Sequence, residues 1–349
     1  MRLDANRDAE RAGKAREFIK LINDGAMSQA VCAAAELGIA DLLASGPRHA
    51  QELSRAVDCH APSLKRLLRA LASLDLCTER EDGAFALTEL GALLRFNAPQ
   101  SLRSWTLLCG KYLWPMWGNL LHSVRTGASA RELAGGGNGF AELEHDEHAA
   151  LVFNRAMAEL TRFVAAEVVR CYSFDGMRRI VDVGGGYGAL LAAVLHAQPG
   201  AQGVLLDLAH AIEGARTQLA ASGLAERCQC IAGDFFESVP AGADAYLLKA
   251  VLHDWDDERV RLILRNCRNA IPRHGKLLII ERIVPARFEA CWLHHAIARV
   301  DLTMLVGFSG RERTETEFRG LLDASGFKLA GVTPTLLEYA VIEAFPCEA

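Results

Sequence analysis

A histidine and a glycine-rich loop are the residues of this sequence with the most informative chemistry. His253 follows an apolar run typical of a buried strand, and a neutral imidazole is the side chain best suited to accept a proton near pH 7. Gly184, Gly186 and Gly188 follow the apolar segment 180–183, so the backbone there can turn tightly and approach a ligand. Because ligands of open α/β sheets bind beyond the carboxyl ends of the strands, these features predict a cofactor and a base that meet over one sheet edge.

Two acidic residues stand at further predicted strand ends. Asp207 ends the strand predicted over 203–207, where a carboxylate can accept both ribose hydroxyls of a nucleoside. Asp234 follows the strand predicted over 228–232 and is placed to bind an adenine amino group, while Phe235 can pack on the ring. The sequence therefore predicts a nucleoside-containing cofactor. The glycine loop alone also satisfies a relaxed dinucleotide fingerprint, so a nicotinamide-dependent dehydrogenase remains an alternative.

The elements that must position these residues alternate between strands and helices after residue 179. Strands are predicted at 180–183, 203–207, 228–232, 243–249, 276–281, 327–334 and 337–343. Helices are predicted at 189–197, 211–222, 256–270 and 315–325. This alternation is typical of an α/β fold with a mostly parallel sheet covered by helices on both sides.

The N-terminal part has a different pattern, helical over 15–45 and then resembling a winged helix. Helices are predicted at 50–57 and 63–74, followed by a hairpin over 77–88. A winged helix suggests a ligand-sensing, DNA-binding regulator, but acidic residues slightly outnumber basic ones over residues 1–100. Because a DNA reader needs a basic face, the sequence favours a dimerisation module.

Length, charge and cysteine usage limit the class of protein. The 349 residues suggest about two domains, and a net charge of −5 predicts neither nucleic acid nor a membrane as partner. The charged N-terminus and the absence of a long apolar stretch predict a cytoplasmic protein. The ten cysteines are scattered without a C-x-x-C pair, so we expect free thiols, mostly buried.

Several segments together resemble the small-molecule O-methyltransferases of the caffeic-acid and hydroxyindole type. They are Val181-Asp182-Val183-Gly184-Gly185-Gly186-Tyr187-Gly188, Leu206-Asp207-Leu208, Gly233-Asp234-Phe235-Phe236, the run from Leu248-Lys249 to His253-Asp254-Trp255, and Gly310-Arg311-Glu312-Arg313-Thr314. The resemblance covers nearly the whole chain. It implies S-adenosylmethionine as the methyl donor and, as in bacterial members, an aromatic natural product as the acceptor.

The resemblance also implies an architecture. A mainly α, winged-helix-like dimerisation domain over 1–100 would form a homodimer. A helical connector over 101–172, with a flexible break at 134–139 and a long helix over 145–171, would contribute to the acceptor pocket. A Rossmann-like class I methyltransferase domain with a seven-stranded, mostly parallel sheet would occupy 173–349 and bind the cofactor.

Site residues follow from the same resemblance, position by position. His253 would be the general base that removes a phenolic proton, with Glu281 and Glu312 as the acids that flank and orient it. The cofactor contacts would be Gly184, Gly186, Asp207, Leu208, Asp234, Phe235 and Lys249. The acceptor pocket would be lined by Phe153, Asn154, Met157, Asp254, Trp255, Met304 and Phe308. The short, apolar segment before Gly310 disfavours a phenylpropanoid acceptor.

A metal-assisted reaction is a further alternative. His253, Asp254 and His295 are ligand types that suit non-haem iron or a similar ion. Such a site would turn the enzyme toward methylation at an activated carbon. N-methylation by the same fold also remains open at this stage.

Overall fold

The computed structural model describes residues 2–133, 140, 143 and 145–347. The chain forms two compact units, residues 1–112 and 113–349. The flexible break predicted at 134–139 lies outside the described residues. The division into 1–100, 101–172 and 173–349 remains a prediction.

The first unit contains short helices, one long helix and a small antiparallel sheet. Its helices are α1 (Arg2–Glu36), α2 (Ile39–Leu43), α3 (Ala50–Ala56), α4 (Ala61–Ser73) and α5 (Arg103–Leu107), with a 3-10 turn at Gly91–Leu94 and a π-helix at Leu108–Leu113. Its strands are β1 (Arg48–His49), β2 (Cys77–Glu79) and β3 (Ala84–Leu87), in the order β1-β3-β2. The helical stretch predicted over 15–45 is split because Gly38 adopts a left-handed φ of 66°.

Two of the three basic residues of α4 face one acidic residue of the hairpin. The Arg69 guanidinium donates to both carboxylate oxygens of Glu79, with Nε 2.9 Å from Oε2. The Lys65 ammonium lies 3.9 Å from the same carboxylate. This single glutamate offsets one of the three positive charges of Lys65, Arg66 and Arg69, so the charge of α4 is only partly neutralised within the hairpin.

The second unit carries the large sheet. Its helices are α6 (Trp114–Trp117), α7 (Leu120–Thr126), α8 (Ala130–Leu133), α9 (Glu147–Cys171), α10 (Ala189–Ala197), α11 (Ala209–Ala221), α12 (Asp257–Ala270), α13 (Trp292–Gly307) and α14 (Glu315–Asp323). Its strands are β4 (Arg179–Val183), β5 (Gln202–Asp207), β6 (Cys228–Ala232), β7 (Ala245–Lys249), β8 (Lys276–Glu281), β9 (Phe327–Pro334) and β10 (Ala340–Pro346), with 3-10 turns at Ala225–Arg227 and Leu252–Asp254.

The seven strands form one sheet in the order β6-β5-β4-β7-β8-β10-β9. The first five are parallel, whereas β10 runs antiparallel to both β8 and β9. The predicted mostly parallel, seven-stranded sheet is therefore confirmed. The last strand begins at Ala340 rather than at the predicted residue 337, because Thr335 donates from N and Oγ1 to the Tyr339 carbonyl and closes a turn.

Apolar side chains fill both faces of the sheet. Val181 and Leu248 belong to a core on one face, together with residues of α12 and α14. Ile180 and Leu247 belong to a core on the other face, with residues of α9, α10 and α11. Because the parallel strands point the same way, the residues after β4, β5, β6, β7 and β8 come to one sheet edge.

The structure corrects the expectation for the cysteines. All ten thiols are free, but only Cys32, Cys77 and Cys267 are buried, while Cys291 is exposed and the others are partly exposed. A cysteine behaves as a small apolar residue and packs equally well in the core, at the edge of a sheet or on the side of a helix. The composition of the sequence therefore did not reveal which thiols are buried. Among the described residues, no helix is long and apolar enough to cross a membrane.

Candidate active site

The glycine loop after β4 makes a tight turn. Gly184, Gly186 and Gly188 have φ values of 69°, 57° and 77°, in the left-handed region that favours glycine. A Cβ on Gly184 would lie 2.9 Å from Val251 Cγ2 and 3.5 Å from the Phe235 ring. The loop backbone therefore packs closely against Val251 and the Phe235 ring, an approach that a side chain at residue 184 would prevent.

Asp207 fixes the position of this loop from the end of β5. Its Oδ2 accepts a 2.6 Å hydrogen bond from the Gly186 amide, and its Oδ1 accepts one of 2.7 Å from the Leu208 amide. Burial raises the pKa of Asp207, and the two amide donors oppose that rise. The structure thus brings four of the predicted cofactor residues together, namely Gly184, Gly186, Asp207 and Leu208.

The predicted adenine-binding residues lie in the turn after β6. Asp234 Oδ1 accepts from the Phe236 amide at 2.8 Å. The rings of Phe235 and Phe236 pack edge to face, with centroids 4.9 Å apart. Because the Phe235 ring also lies beside Gly184, this turn faces the glycine loop.

Lys249, the last residue of β7, is held against the long helix α9. Its Nζ donates to Thr161 Oγ1 at 3.1 Å and lies 5.3 Å from the centroid of the Tyr339 ring. Burial and, to a smaller extent, the positive charge of Arg282 lower the pKa of Lys249 to about 8. Sequence reasoning missed Thr161, which no motif marks.

A buried acid in the centre of the sheet was quoted above only as part of a motif. Asp182 in β4 is fully enclosed, and its Oδ2 has no hydrogen-bond partner within the described part of the chain. Burial and, to a smaller extent, the negative charge of Asp207 raise the pKa of Asp182 to about 7. The signal for Asp182 in the sequence is an acidic residue between apolar neighbours in a predicted buried strand.

His253 lies in the 3-10 turn Leu252–Asp254 that follows β7. Its Nδ1 lies 2.8 Å from Glu312 Oε1 and 3.7 Å from Glu281 Oε2, and its Nε2 lies 3.6 Å from Asp254 Oδ1. A carboxylate only accepts hydrogen bonds, so the Nδ1–H donates to Glu312. In the neutral ring Nε2 then carries the lone pair and is the proton-accepting atom.

Glu281, at the end of β8, positions the turn more than the ring. Its Oε1 accepts from the Val251 amide at 3.0 Å and from the Leu252 amide at 2.9 Å. The structure therefore brings the three predicted catalytic residues together, with Glu312 on the imidazole and Glu281 mainly on the backbone that carries it. Burial raises the pKa of Glu281.

The charges around His253 raise its affinity for a proton. Burial by itself would lower the pKa of the imidazole, but Glu281, Glu312 and Asp254 together raise it to about 9. Burial also raises the pKa of Asp254 to about 7. Although burial opposes it, the pKa of Glu312 is lowered, chiefly by His253. The site is thus suited to take up a proton.

Arg282 pairs with two acidic residues, one of which is the Glu312 that contacts His253. Its Nη1 lies 3.5 Å from Glu312 Oε1, and its Nη2 lies 3.0 Å from Glu338 Oε1. The guanidinium carbon is 4.1 Å from the centroid of the Tyr339 ring, which fits a cation–π contact. Sequence reasoning missed Arg282, although it directly follows Glu281.

The turn that carries His253 is clamped by the segment around Arg313. The fully buried Arg313 donates to the carbonyls of Leu252 at 2.8 Å and Trp255 at 2.7 Å. The Arg311 amide donates to the His253 carbonyl at 2.9 Å. A Cβ on Gly310 would lie only 2.1 Å from that carbonyl oxygen, so a glycine is needed for this close approach.

Aromatic side chains form a wall beside the histidine. The Phe140 ring lies 5.7 Å from Phe153, 5.6 Å from Trp255 and 5.7 Å from Phe308, between ring centroids. Three of the predicted acceptor-pocket residues therefore meet on one ring. Phe140 itself was missed, because it lies beside the glycine-rich stretch that was interpreted as a flexible break.

The remaining predicted pocket residues occupy different places. Asn154 is buried on α9, and its Nδ2 lies 3.0 Å from His210 Nδ1. One turn further on, the Met157 carbonyl accepts from Thr161 Oγ1 at 2.6 Å. Met304 is buried in α13. Asn154 thus makes its contact near the residues that follow β5.

The metal set proposed from the sequence is not assembled. His295 is an exposed residue of α13. The group of potential ligands found within the described ranges is His253, Glu281 and Glu312, whose ligand atoms lie within 4.8 Å of one another. Asp254 and His295 are not members of that group. The predicted set failed because the two histidines are on different elements.

Comparisons with known proteins show the family of the chain. A family model described as an O-methyltransferase domain matches residues 117–328, and one described as an O-methyltransferase dimerisation domain matches residues 19–95. The chain belongs to the S-adenosylmethionine-dependent O-methyltransferases. It is 43% identical over 332 residues to the phenazine O-methyltransferase PhzM of Lysobacter antibioticus, covering 94% of this chain and 95% of the relative.

Solved structures extend the similarity to the fold. The LaPhzM crystal structure matches with a TM-score of 0.92 and 42% identity, covering 95% of this chain and 99% of that one. The O-methyltransferase NcsB1, solved with S-adenosylmethionine and 2-hydroxy-5-methyl naphthoic acid, matches with a TM-score of 0.76, 34% identity and coverage of 91% and 95%. Some relatives are named as N-methylating enzymes, among them the 8-amino-8-demethylriboflavin N,N-dimethyltransferase of Streptomyces davaonensis. It is 36% identical over 318 residues, covering 89% of each chain.

Proposed function

We propose that this enzyme methylates a hydroxyl group of an aromatic small molecule of the natural-product type, with His253 as the general base. The observation that carries the proposal is the 2.8 Å contact between His253 Nδ1 and Glu312 Oε1. This contact leaves Nε2 as the proton-accepting atom of the neutral ring. Glu281 supports the same geometry by holding the turn through its backbone amides.

The proton transfer is chemically reasonable for a phenol. When bound, S-adenosylmethionine supplies an electrophilic methyl group on a positively charged sulfur. A phenol has a pKa near 10, so its proton moves readily to Nε2 only as the hydroxyl oxygen becomes a nucleophile. The Glu312 carboxylate then stabilises the imidazolium that forms. General-base assistance of this kind contributes roughly 10²- to 10⁴-fold in rate.

The proposed cofactor contacts are those on the loop side of the site. Gly184 and Gly186 would allow the donor to approach the backbone, Asp207 with Leu208 would bind the ribose, and the turn at Asp234 and Phe235 would hold the base. Lys249 would lie beside the donor, next to α9. The support for these roles is that the residues converge at one sheet edge, where the Gly186 amide donates to Asp207 and the Phe235 ring lies beside Gly184.

The proposed acceptor is aromatic because of the wall around Phe140. The rings of Phe153, Trp255 and Phe308 pack around the ring of Phe140. Asp254 Oδ1 lies 3.6 Å from His253 Nε2. Met157 and Met304 would complete the lining of the acceptor pocket. NcsB1, a similar protein, was solved with a hydroxy-naphthoic acid. An amine acceptor is the second candidate, since one relative is named as an N,N-dimethyltransferase.

The proposed assembly is a homodimer through the first unit. That unit matches the dimerisation-domain family over residues 19–95. Helix α1 exposes four large apolar side chains, Phe18, Ile19, Leu21 and Ile22, which are 57–66% exposed in the single chain. Large apolar patches of this kind on a helix mark an interaction surface.

Replacement of the base tests the function. We expect His253→Ala to bind S-adenosylhomocysteine with nearly the wild-type Kd but to lower kcat by roughly 10²- to 10⁴-fold. The assay measures methyl transfer to a panel of hydroxy-naphthoic acids, hydroxyphenazines and their amino analogues. His274→Ala is the matched control, because His274 is exposed.

The acidity of the acceptor provides a second readout. In the variant, turnover should depend more steeply on the hydroxyl pKa, since only an acceptor that ionises by itself can react. A His253→Ala enzyme with wild-type kcat would contradict the base assignment. Methylation of the amino analogues but of none of the hydroxyl compounds would contradict O-methylation and favour the second candidate.

A further inference from the structure

An amide and an imidazole meet between α9 and α11. Asn154 is buried, only 3% exposed, and its Nδ2 lies 3.0 Å from Nδ1 of His210. The other ring nitrogen, His210 Nε2, is also buried and has no hydrogen-bond partner among the residues that the structure describes. A buried polar atom of this kind carries a desolvation cost unless a ligand satisfies it.

The contact with Asn154 determines the tautomer of His210. The amide nitrogen of asparagine is a donor only, so the ring nitrogen facing it must be an acceptor. Nδ1 of His210 therefore carries no proton, and the single proton of the neutral ring is on Nε2. The buried atom without a protein partner is thus an N–H donor.

The position of His210 places this donor near the nucleoside-binding residues. Asp207 ends β5, Leu208 is extended with φ −63° and ψ 153°, and α11 begins at Ala209. His210 therefore stands in the first turn after Asp207. The imidazole is close enough that its charge would influence the pKa of the Asp207 carboxyl.

We propose that His210 is a cofactor-positioning residue whose Nε2–H donates a hydrogen bond to a ribose hydroxyl oxygen of the bound cofactor. A hydroxyl offers one donor and two lone pairs. The carboxylate of Asp207 would accept a hydrogen bond from a ribose hydroxyl, and His210 would donate one to a lone pair of a hydroxyl oxygen of the same ribose. Asn154 maintains the required tautomer from the helix that also carries Phe153 and Met157.

The experiment measures cofactor binding by calorimetry without any acceptor. We expect His210→Phe, which keeps the ring size but removes the N–H, to bind S-adenosylhomocysteine roughly 2- to 10-fold more weakly than wild type. The 2′-deoxy and 3′-deoxy analogues of S-adenosylhomocysteine identify the hydroxyl. Wild type should lose more affinity than His210→Phe does for the analogue that lacks it, because the contact of that hydroxyl with Asp207 remains in the variant. His274→Phe, an exposed histidine, is the matched control.

A wild-type Kd for His210→Phe would overturn the proposal, as would equal losses for both analogues in the variant and in wild type. A measurement on the unmodified protein covers the case in which the variant does not fold. Imidazole ¹⁵N resonances should show the Nε2–H tautomer of His210, and its Nε2–H signal should shift when S-adenosylhomocysteine binds. An Nδ1–H tautomer or an unchanged signal would also overturn it. No acceptor is present, so the outcome is independent of O- or N-methylation and of the role of His253.

Discussion

His253 Nδ1 and Glu312 Oε1 lie 2.8 Å apart, although 59 residues separate them in the chain. The same Glu312 oxygen lies 3.5 Å from Nη1 of Arg282. The Glu312 carboxylate therefore lies between the imidazole of His253, which can gain a proton, and the guanidinium of Arg282, which keeps its positive charge. The charge on Glu312 should consequently control the pKa at which His253 becomes available as a base.

Neutralising Glu312 tests this relationship. Its negative charge helps to raise the pKa of His253 to about 9, so Glu312→Gln should lower that pKa. The ascending limb of the plot of kcat/KM against pH should then move to lower pH. At high pH the plateau should fall by roughly 10²-fold, because the imidazolium loses its stabilising partner.

Glu315→Gln is the control for that measurement, since Glu315 is an exposed residue of α14 that pairs with Arg319. The Kd of S-adenosylhomocysteine serves as a check on folding. An ascending limb that stays in place, or that moves to higher pH, would refute the assigned electrostatic coupling.

Removing the cation should have the opposite effect. In Arg282→Met the acidic group around His253 loses its buried positive neighbour, so the pKa of His253 should increase and the ascending limb should move to higher pH. Leaving Glu312 and Glu338 without this partner should also lower the free energy of unfolding by about 3–5 kcal/mol. Urea denaturation and the pH profile of kcat/KM measure the two effects.

Arg282→Lys is the matched variant, because it keeps the positive charge but lacks the guanidinium group whose two terminal nitrogens reach both carboxylates. We expect this variant to keep a pH profile close to that of wild type but to have a lower free energy of unfolding. If Arg282→Met and Arg282→Lys gave the same pH profile, charge would not be the property through which Arg282 acts.

The close packing at Gly184 predicts a specific loss of cofactor binding. An alanine there must adopt a φ near 69° and place its methyl group 2.9 Å from Val251 Cγ2, so the glycine loop must shift. Gly184→Ala should therefore weaken S-adenosylhomocysteine binding by at least about tenfold, as measured by calorimetry. Gly176→Ala carries a similar backbone strain, with φ 80°, but has open space around it. Equal Kd values for the two variants would show that the position of the loop at Gly184 does not affect cofactor binding.

The exposed apolar side chains of α1 predict that negative charges introduced there would prevent dimerisation. Phe18 and Ile22 are four residues apart and so lie on the same face of the helix. The double variant with Phe18→Asp and Ile22→Asp should sediment as a monomer, whereas wild type should sediment as a dimer. Leu336→Asp alters an equally exposed apolar residue of the second unit and should remain dimeric. A dimeric double variant would place the interface elsewhere.

The sequence predicted most of the sheet because its signals are local. Buried parallel strands are continuous apolar runs, and the glycine loop and Asp207 adjoin their own strands. Glu312 was predicted to lie in the site only because its segment resembles a motif of the family. No periodicity in the sequence relates it to His253. Thr161, His210 and Arg282 escaped notice because their roles depend on contacts between distant elements. His295 was wrongly grouped with His253 because the two share a ligand type but not a location.

The clamp around Arg313 separates the site into a constant part and a variable part. Arg313, Arg311 and Gly310 fix the backbone of the turn that carries His253, whereas Phe153 and Phe308 come from helix α9 and the end of α13. Because the clamp does not involve these two aromatic side chains, we expect Phe153→Leu and Phe308→Leu to leave the backbone at His253 in place. If the proposed function holds, such changes would alter which acceptor is methylated without altering the pH dependence of the reaction.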